Sequence, residues 1–201
     1  SGVDQVVPGM TVMFVFYIII SMARRFFKEK ESGLLARTQS TAVRPLQYLV
    51  GMWVPFVCTV IAQCVALFAF GHFVYDIKLG DLPSLAAIVL CLSICGTGIG
   101  LAISLLVSGE AVAMVTAQII ALGGAMVGGL WVPSYLMPKT VQTIGHFTPQ
   151  FWAQKSLQDV IVHGAHIGNI AGALGILLAF GIAGLVVASL RYPGFLRSAT
   201  N

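Results

Sequence analysis

The sequence predicts an all-α membrane protein: about five transmembrane helices, a cytoplasmic amphipathic helix, and short outer helices that are re-entrant or interfacial. Of its 201 residues, 58% are hydrophobic and only 9% are charged, whereas soluble domains carry about a quarter charged residues. The mean hydropathy is +0.93. The few charges are clustered between long apolar runs, which is typical of spans and loops in a bilayer.

Five apolar stretches are long enough to cross a membrane. A spanning helix needs about 20 apolar residues at about 1.5 Å rise each. We treat residues 1–201 as a single transmembrane domain and predict spans at residues 7–23, 46–70, 83–107, 111–131 and 167–190.

The basic residues predict the orientation of these spans. If the first loop is cytoplasmic, eight basic residues lie inside: Arg24, Arg25, Lys28, Lys30, Arg37, Arg44, Arg191 and Arg197. Three then lie outside: Lys78, Lys139 and Lys155. By the positive-inside rule we expect the N-terminus of this chain outside and its C-terminus in the cytoplasm of a multi-pass plasma-membrane protein.

The first loop, residues 26–41, alternates apolar and charged residues at roughly helical spacing. Its charged group, Lys28 to Glu31, is expected to face water, while Phe26, Phe27, Leu34 and Leu35 touch lipid or a partner. Two interpretations remain open at this point. The segment is either an interfacial helix whose charges set the topology or a docking surface for a cytosolic protein.

The outer segment, residues 133–166, combines prolines with aromatic side chains. Pro133, Pro138 and Pro149 interrupt any continuous helix. Aromatic residues such as Phe151 and Trp152 suit the membrane–water interface. We expect short helices in and along the outer leaflet, with residues 150–162 forming one surface helix.

Glycines recur at a spacing of four, which places them on one face of a helix. Such faces let helix backbones approach closely in membranes. The predicted helix-packing glycines are Gly96, Gly100, Gly124, Gly128, Gly164, Gly168 and Gly172.

The chemistry-bearing residues do not form a catalytic centre. The acidic residues lie in loops or at span ends, and we identify no catalytic residue, no metal site and no nucleic-acid surface. Glu110 begins the fourth span, where an acid favours the helix dipole with Ser108 as a cap; contact with a cytosolic partner is the alternative. Mild polar residues within the spans suit a lipophilic or amphipathic cargo, or plain hydrogen bonding between helices.

Two stretches together resemble a known family. They are residues 25–51, RFFKEKESGLLARTQSTAVRPLQYLVG, and residues 123–164, GGAMVGGLWVPSYLMPKTVQTIGHFTPQFWAQKSLQDVIVHG. A span that ends in a charged, Gly-containing segment, and a Gly-Gly pair before a Pro-rich outer segment, resemble the permeases of type-2 ATP-binding-cassette (ABC) exporters. Relative to that family the chain begins just before the second span, so we expect a first span to be missing.

The resemblance implies a mechanism and partners. Two permease chains, as a homodimer or heterodimer, would pair within membrane lipid above separate cytosolic nucleotide-binding ATPase subunits. ATP and Mg would bind to those ATPases and no cofactor to this chain, which would not itself be an enzyme. Residues 26–41 would form the coupling helix, with Glu110 as a second ATPase contact. The coupling residues would be Phe26, Phe27, Lys28, Glu29, Lys30, Glu31, Ser32, Gly33, Leu34, Leu35 and Arg37.

Two other classes remain open as alternatives. One is an intramembrane lipid-modifying enzyme, and the other is a membrane scaffold without transport activity. Co-purification of a nucleotide-binding subunit would separate an exporter permease from both.

Overall fold

The computed structural model describes residues 3–33 and 45–199, which form helices joined by short turns. No strand occurs in these ranges. The α-helices are α1 (Val3–Glu31), α2 (Pro45–Tyr75), α3 (Leu82–Leu106), α4 (Glu110–Gln118), α5 (Gly124–Val127), α6 (Lys139–Gly145), α7 (Pro149–His163) and α8 (Ile167–Ala199). A π-helical segment, Ile119–Gly123, joins α4 to α5, and a 3₁₀ turn covers Ser134–Leu136.

Five helical segments are long and apolar enough to cross a membrane, which confirms the predicted all-α membrane fold. They are Val6–Glu31, Leu46–Tyr75, Leu82–Leu106, Glu110–Val127 and Ile167–Gly194. Their bounds differ clearly from the predicted ones at four places. The first helix continues eight residues past Ala23, the second reaches Tyr75, and the fourth ends at Val127 rather than near residue 131. The last helix continues to Ala199 rather than ending at residue 190.

Helix α3 lies at the centre of the bundle and packs against α1 on one side and α8 on the other. The sequence Gly96-Thr97-Gly98-Ile99-Gly100 explains how two helices approach it. Residues two apart on a helix point in nearly opposite directions, so Gly98 faces away from Gly96 and Gly100. A Cβ placed on Gly96 or Gly100 would lie 2.9 Å from the Val15 or Met22 side chain of α1.

The opposite face of α3 meets α8 backbone to backbone. A Cβ on Gly98 would lie 2.4 Å from the carbonyl oxygen of Gly181, and one on Gly184 would lie 2.5 Å from that of Gly98. Real Cβ atoms do not approach so closely, so only glycine fits this crossing. The spacing-of-four pattern missed these contacts, because Gly181 and Gly184 are three apart.

The remaining predicted packing glycines divide into two groups. Gly124 and Gly128 are close to α7, as expected of packing positions. By contrast, a Cβ on Gly164, Gly168 or Gly172 would meet nothing within 4 Å among the described residues. Their assignment to helix packing within this chain was therefore wrong. Gly164 instead ends α7 with a positive φ of 65°, a conformation in which glycine carries no Cβ penalty.

The π-helical segment between α4 and α5 accepts a hydrogen bond from α7. A π-helix closes its hydrogen bonds over one residue more than an α-helix does, so the carbonyl pattern of the α-helix is interrupted. The Gln150 amide donates to the Ile120 carbonyl oxygen at 3.0 Å, and Gln150 is only 1% exposed. Gly124 provides the space, since a Cβ there would lie 2.1 Å from Gln150 Nε2.

The outer segment folds as a 3₁₀ turn followed by two helices, α6 and α7. Pro133 precedes the 3₁₀ turn, Pro138 precedes α6, and Pro149 occupies the first turn of α7, where its missing N–H costs no helical bond. Phe151 and Trp152 pack edge to face at 5.4 Å, and Trp152 Nε1 donates to the His146 carbonyl oxygen at 2.8 Å.

Helix α7 is not a surface helix, and that part of the prediction was wrong. One face of α7 is buried against α1, α3 and α8, because apolar residues recur at helical spacing along it. Its buried members include Ala153, Leu157, Val160 and Ile161.

Candidate functional site

The candidate site lies at one end of the bundle, where α1 and α8 end and where α2 and α4 begin. We call it the basic end, because Arg24, Arg25, Lys28, Lys30 and Arg191 all lie on these helix ends. The opposite end, with residues 76–81 and 128–166, is called the proline-rich end. Lys78, Lys139 and Lys155 lie there.

Helix α1 carries the first part of the predicted coupling segment. No break separates the span from this segment, since α1 is continuous to Glu31. Gly33 then takes a positive φ of 70°, and its N–H and that of Ser32 bond to carbonyls of the last turn. A glycine in the left-handed conformation is a common end of a helix.

Phe26 and Phe27 do not form a contact surface, contrary to the prediction for the coupling segment. Phe26 is fully buried among residues of α2, α3 and α8, and Phe27 is buried with Ala23 and Ala113. Helical spacing turns these two rings toward neighbouring helices of the same chain. They therefore anchor the end of α1 and offer no area to lipid or to a partner.

The charged residues that follow remain at the surface. Lys28, Glu31 and Ser32 are exposed, while Lys30 and Gly33 are partly buried. Leu34, Leu35 and Arg37, with the rest of the segment to residue 41, lie outside the described residues. Among the described residues, the solvent-facing part of the candidate coupling site is therefore the last turn of α1 together with Ser32.

Glu29 links α1 to α2. Its carboxylate accepts a hydrogen bond from Arg25 Nε at 2.8 Å and a short one from the Tyr48 hydroxyl. The Glu29 side chain is 14% exposed. Tyr48 also stacks on Tyr192 of α8 at 5.9 Å, with the rings 13° from parallel. Three helix ends that are distant in sequence thus meet at one carboxylate and two aromatic rings.

Glu110 is the first residue of α4, and its side chain lies beside α1. Its carboxylate is 4.0 Å from Arg24 Nε, with both side chains well exposed. Ser108 is not the cap that we predicted, because Gly109 occupies that position and makes no side-chain hydrogen bond. An acid in the first turn still favours the helix dipole. Glu110 therefore extends the exposed charged surface of the basic end.

Sequence reasoning missed Tyr48 and Tyr192. Each lies near the end of an apolar run, where tyrosine is ordinarily interpreted as an interfacial anchor. A signal was present in the sequence: Glu29 and Arg25 are four apart on α1, so their side chains meet on one face. No spacing rule could have placed the tyrosines of α2 and α8 on that face.

The proline-rich end has a different polar cluster. Asp81 caps α3, accepting hydrogen bonds from the Ser84 hydroxyl and from the Ser84 backbone N–H at 3.2 Å. His166 Nδ1 is 3.6 Å from Asp81, whereas His163 lies beside Asp159. The Ser84 hydroxyl lowers the pKa of Asp81 most, against a smaller opposing effect of desolvation, and His166 adds to the lowering.

Comparisons with known proteins agree with this architecture. Residues 1–190 match the family model described as ABC-2 family transporter protein. The chain is also similar to the linearmycin resistance permease protein LnrN of Bacillus subtilis (strain 168), with 27% identity over 172 residues. That alignment covers 86% of this chain and 45% of the relative, so the chain spans about half the length of the relative. This multi-pass membrane protein belongs to the ABC-2 family of transporter proteins.

Proposed function

We propose that this chain is the membrane-spanning part of a permease subunit in an ATP-driven exporter. It would move a lipophilic or amphipathic molecule across the membrane while a separate subunit hydrolyses ATP. ATP and Mg would be held by that subunit, and a second permease chain would complete the transporter. Family membership supports the coarse function, a membrane transporter subunit.

One structural observation carries the ATPase-coupling part of the proposal. Helix α1 extends eight residues beyond Ala23, about 12 Å at the rise of an α-helix, and ends in an exposed charged turn. The buried rings of Phe26 and Phe27 fix this extension to the bundle. A force on the exposed turn would therefore act on the spans rather than only on a loose loop.

The Glu29 cluster, which consists of Glu29, Arg25, Tyr48 and Tyr192, supplies a route for that force. Tyr48 lies in the first turn of α2 and Tyr192 near the end of α8, so displacement of α1 would reach both helices. Coupling between two sites requires a structural element that has two conformations. ATP binding must then stabilise one of these conformations more than the other. We propose that ATP-driven closure of the ATPase changes the position of the α1 end relative to α2.

The basic end is the expected cytoplasmic side. Six of the eight basic residues assigned to the inside lie on its described helix ends, and the three assigned to the outside lie at the proline-rich end. This orientation places the exposed turn of α1 where a cytosolic ATPase could contact it. The plasma membrane of a bacterium is the proposed location.

The cargo is proposed from the spans and from the relative. Among the described span residues, acids occur only at the helix ends, and hydroxyls such as those of Ser93, Thr97 and Ser104 bond to carbonyls of their own helix. Such spans offer little to a hydrated ion or a sugar. The relative is named for linearmycin resistance. We therefore propose an antibiotic, drug-like or lipid-like cargo.

Reconstitution with the nucleotide-binding subunit tests the function. Glu31→Arg reverses the charge of the exposed turn and should lower permease-dependent stimulation of ATP hydrolysis by about tenfold, because reversed interface charges oppose docking. Lys139→Glu is the matched charge reversal at the proline-rich end and should leave stimulation unchanged. Equal stimulation by Glu31→Arg and the wild type would contradict the proposal.

A further inference from the structure

A groove of about 430 Å³ runs between α1 and α2 at the basic end. Its two ends differ in chemistry. Arg25, Glu29 and Tyr48 form a polar end, and the remaining lining from Gly51 to Thr59 is largely apolar. Among those residues, the Thr59 hydroxyl donates to the Pro55 carbonyl oxygen at 2.8 Å, so its hydrogen is used within α2. The groove is therefore amphipathic along its length.

The length of this groove matches one leaflet of a bilayer. From Tyr48 to Thr59 the lining follows α2 for eleven residues, about 16 Å at the rise of an α-helix. The hydrocarbon core of a bilayer is about 30 Å thick, so one leaflet contributes about 15 Å. The polar end lies at the end of the predicted spans, so in a bilayer it would lie at headgroup level and the apolar part would lie at acyl-chain level.

The polar end presents a positive and a negative group side by side. Arg25 Nε and Glu29 Oε1 are 2.8 Å apart. The Arg25 side chain is 66% exposed, so its guanidinium is accessible to an anion. The Glu29 carboxylate has more acceptor positions than the two donors it already binds, and it opens onto the groove.

We infer that this groove binds a phospholipid whose headgroup carries both a phosphate and a primary ammonium, as in phosphatidylethanolamine. Arg25 would bind the phosphate, as guanidinium groups commonly do. Glu29 would accept a hydrogen bond from the ammonium, and Tyr48 would hold that carboxylate in place. One acyl chain would lie along Gly51, Met52, Pro55 and Phe56.

Charge complementarity selects this headgroup over others. Phosphatidylglycerol offers a phosphate to Arg25 but nothing positive to Glu29, which lies close to the same site. Phosphatidylcholine has the positive charge but no N–H to donate, so it loses the hydrogen bond to Glu29. One ion pair at a partly exposed site favours phosphatidylethanolamine by about fivefold at most.

Native mass spectrometry of the purified permease tests the inference without transport or ATP hydrolysis. The protein in detergent is mixed with equal amounts of phosphatidylethanolamine, phosphatidylglycerol and phosphatidylcholine, and the bound lipids are counted. The wild type should retain phosphatidylethanolamine about threefold to fivefold over each competitor. Glu29→Gln should remove this preference. The test is independent of the proposed function, because no step of it requires an ATPase or a cargo.

A second pair of variants tests the groove without changing its charges. Gly51 lines the groove and a Cβ there meets nothing within 4 Å, so Gly51→Leu should place its side chain in the groove. It should remove the selectively retained lipid. Gly175→Leu, also at a helical glycine with open space, is the control and should bind as the wild type does. The inference is overturned by equal binding of the three lipids, by a preference that survives Glu29→Gln, or by undiminished binding in Gly51→Leu.

Discussion

Gly98 of α3 and Gly181 of α8 meet backbone to backbone, with 2.4 Å between a Cβ placed on Gly98 and the Gly181 carbonyl oxygen. This contact lies in the most extensive helix interface of the described chain. In a bilayer, lipid tails are as apolar as leucine, so close backbone packing contributes much of helix association. The crossing of α3 and α8 therefore depends on the absence of a side chain at this point.

Adding one methyl group at this crossing should destabilise the protein. Gly98→Ala forces the α3 and α8 backbones apart, and overpacking of this kind costs about 1–3 kcal/mol. Gly175→Ala adds the same methyl group at a helical glycine with open space and should be neutral or stabilising by up to about 1 kcal/mol. Thermal unfolding in detergent compares the two. Equal melting temperatures for both variants would show that the crossing tolerates a Cβ.

A second steric relationship can be tested by a double-mutant cycle. Gly124→Ala places its Cβ against the buried Gln150 amide and should lower the free energy of unfolding by about 1–3 kcal/mol. Gln150→Ala alone should also destabilise, because it removes the donor to the Ile120 carbonyl. In a protein that already carries Gln150→Ala, adding Gly124→Ala should lower the free energy of unfolding only slightly further. Strict additivity of the two changes would contradict the contact.

The Asp81 cap predicts a pH dependence. Because the pKa of Asp81 is lowered in the folded protein, the ionised cap stabilises the fold at pH values above its ordinary pKa of 3.8. That contribution is lost as the pH falls through the lowered folded-state value. Asp81→Asn should therefore melt below the wild type at neutral pH, and the difference should shrink under acid conditions. A difference that is constant with pH would exclude an ionised cap.

The proposed orientation predicts which end of the bundle is accessible from outside the cell. Cysteine is introduced at Glu31, at the basic end, or at Thr143, at the proline-rich end, since both positions are exposed. Exposed Cys58 is replaced by alanine to remove background labelling. A membrane-impermeant maleimide should label Thr143→Cys in intact cells and Glu31→Cys only after lysis. The reverse pattern would invert the topology.

Much of the fold follows from local sequence patterns. The five apolar runs predict the five long helices, because span length and hydropathy are properties of single segments. Pro133, Pro138 and Pro149 likewise predict the breaks in the outer segment, since proline restricts the backbone wherever it stands.

The features of the fold and of the site that could not be predicted depend on contacts between helices that are distant in sequence. Phe26 and Phe27 suit lipid or partner contact as well as burial, and only neighbouring helices make them core residues. The burial of α7 depends on its contacts with α1, α3 and α8, and its Gln150 also bonds to a π-helical segment that no composition rule reveals. The Glu29 cluster joins residues of α1, α2 and α8, and their pairing has no trace in sequence spacing.

The proposed contact between the exposed turn at the end of α1 and an external ATPase can be captured by site-specific photocrosslinking. A photoreactive amino acid is placed at Glu31 or, as a control, at Thr143, in cells that also produce the nucleotide-binding subunit. Crosslinks to that subunit are expected from position 31 and none from position 143. Crosslinks from position 143, or none from position 31 in an assembled complex, would contradict it.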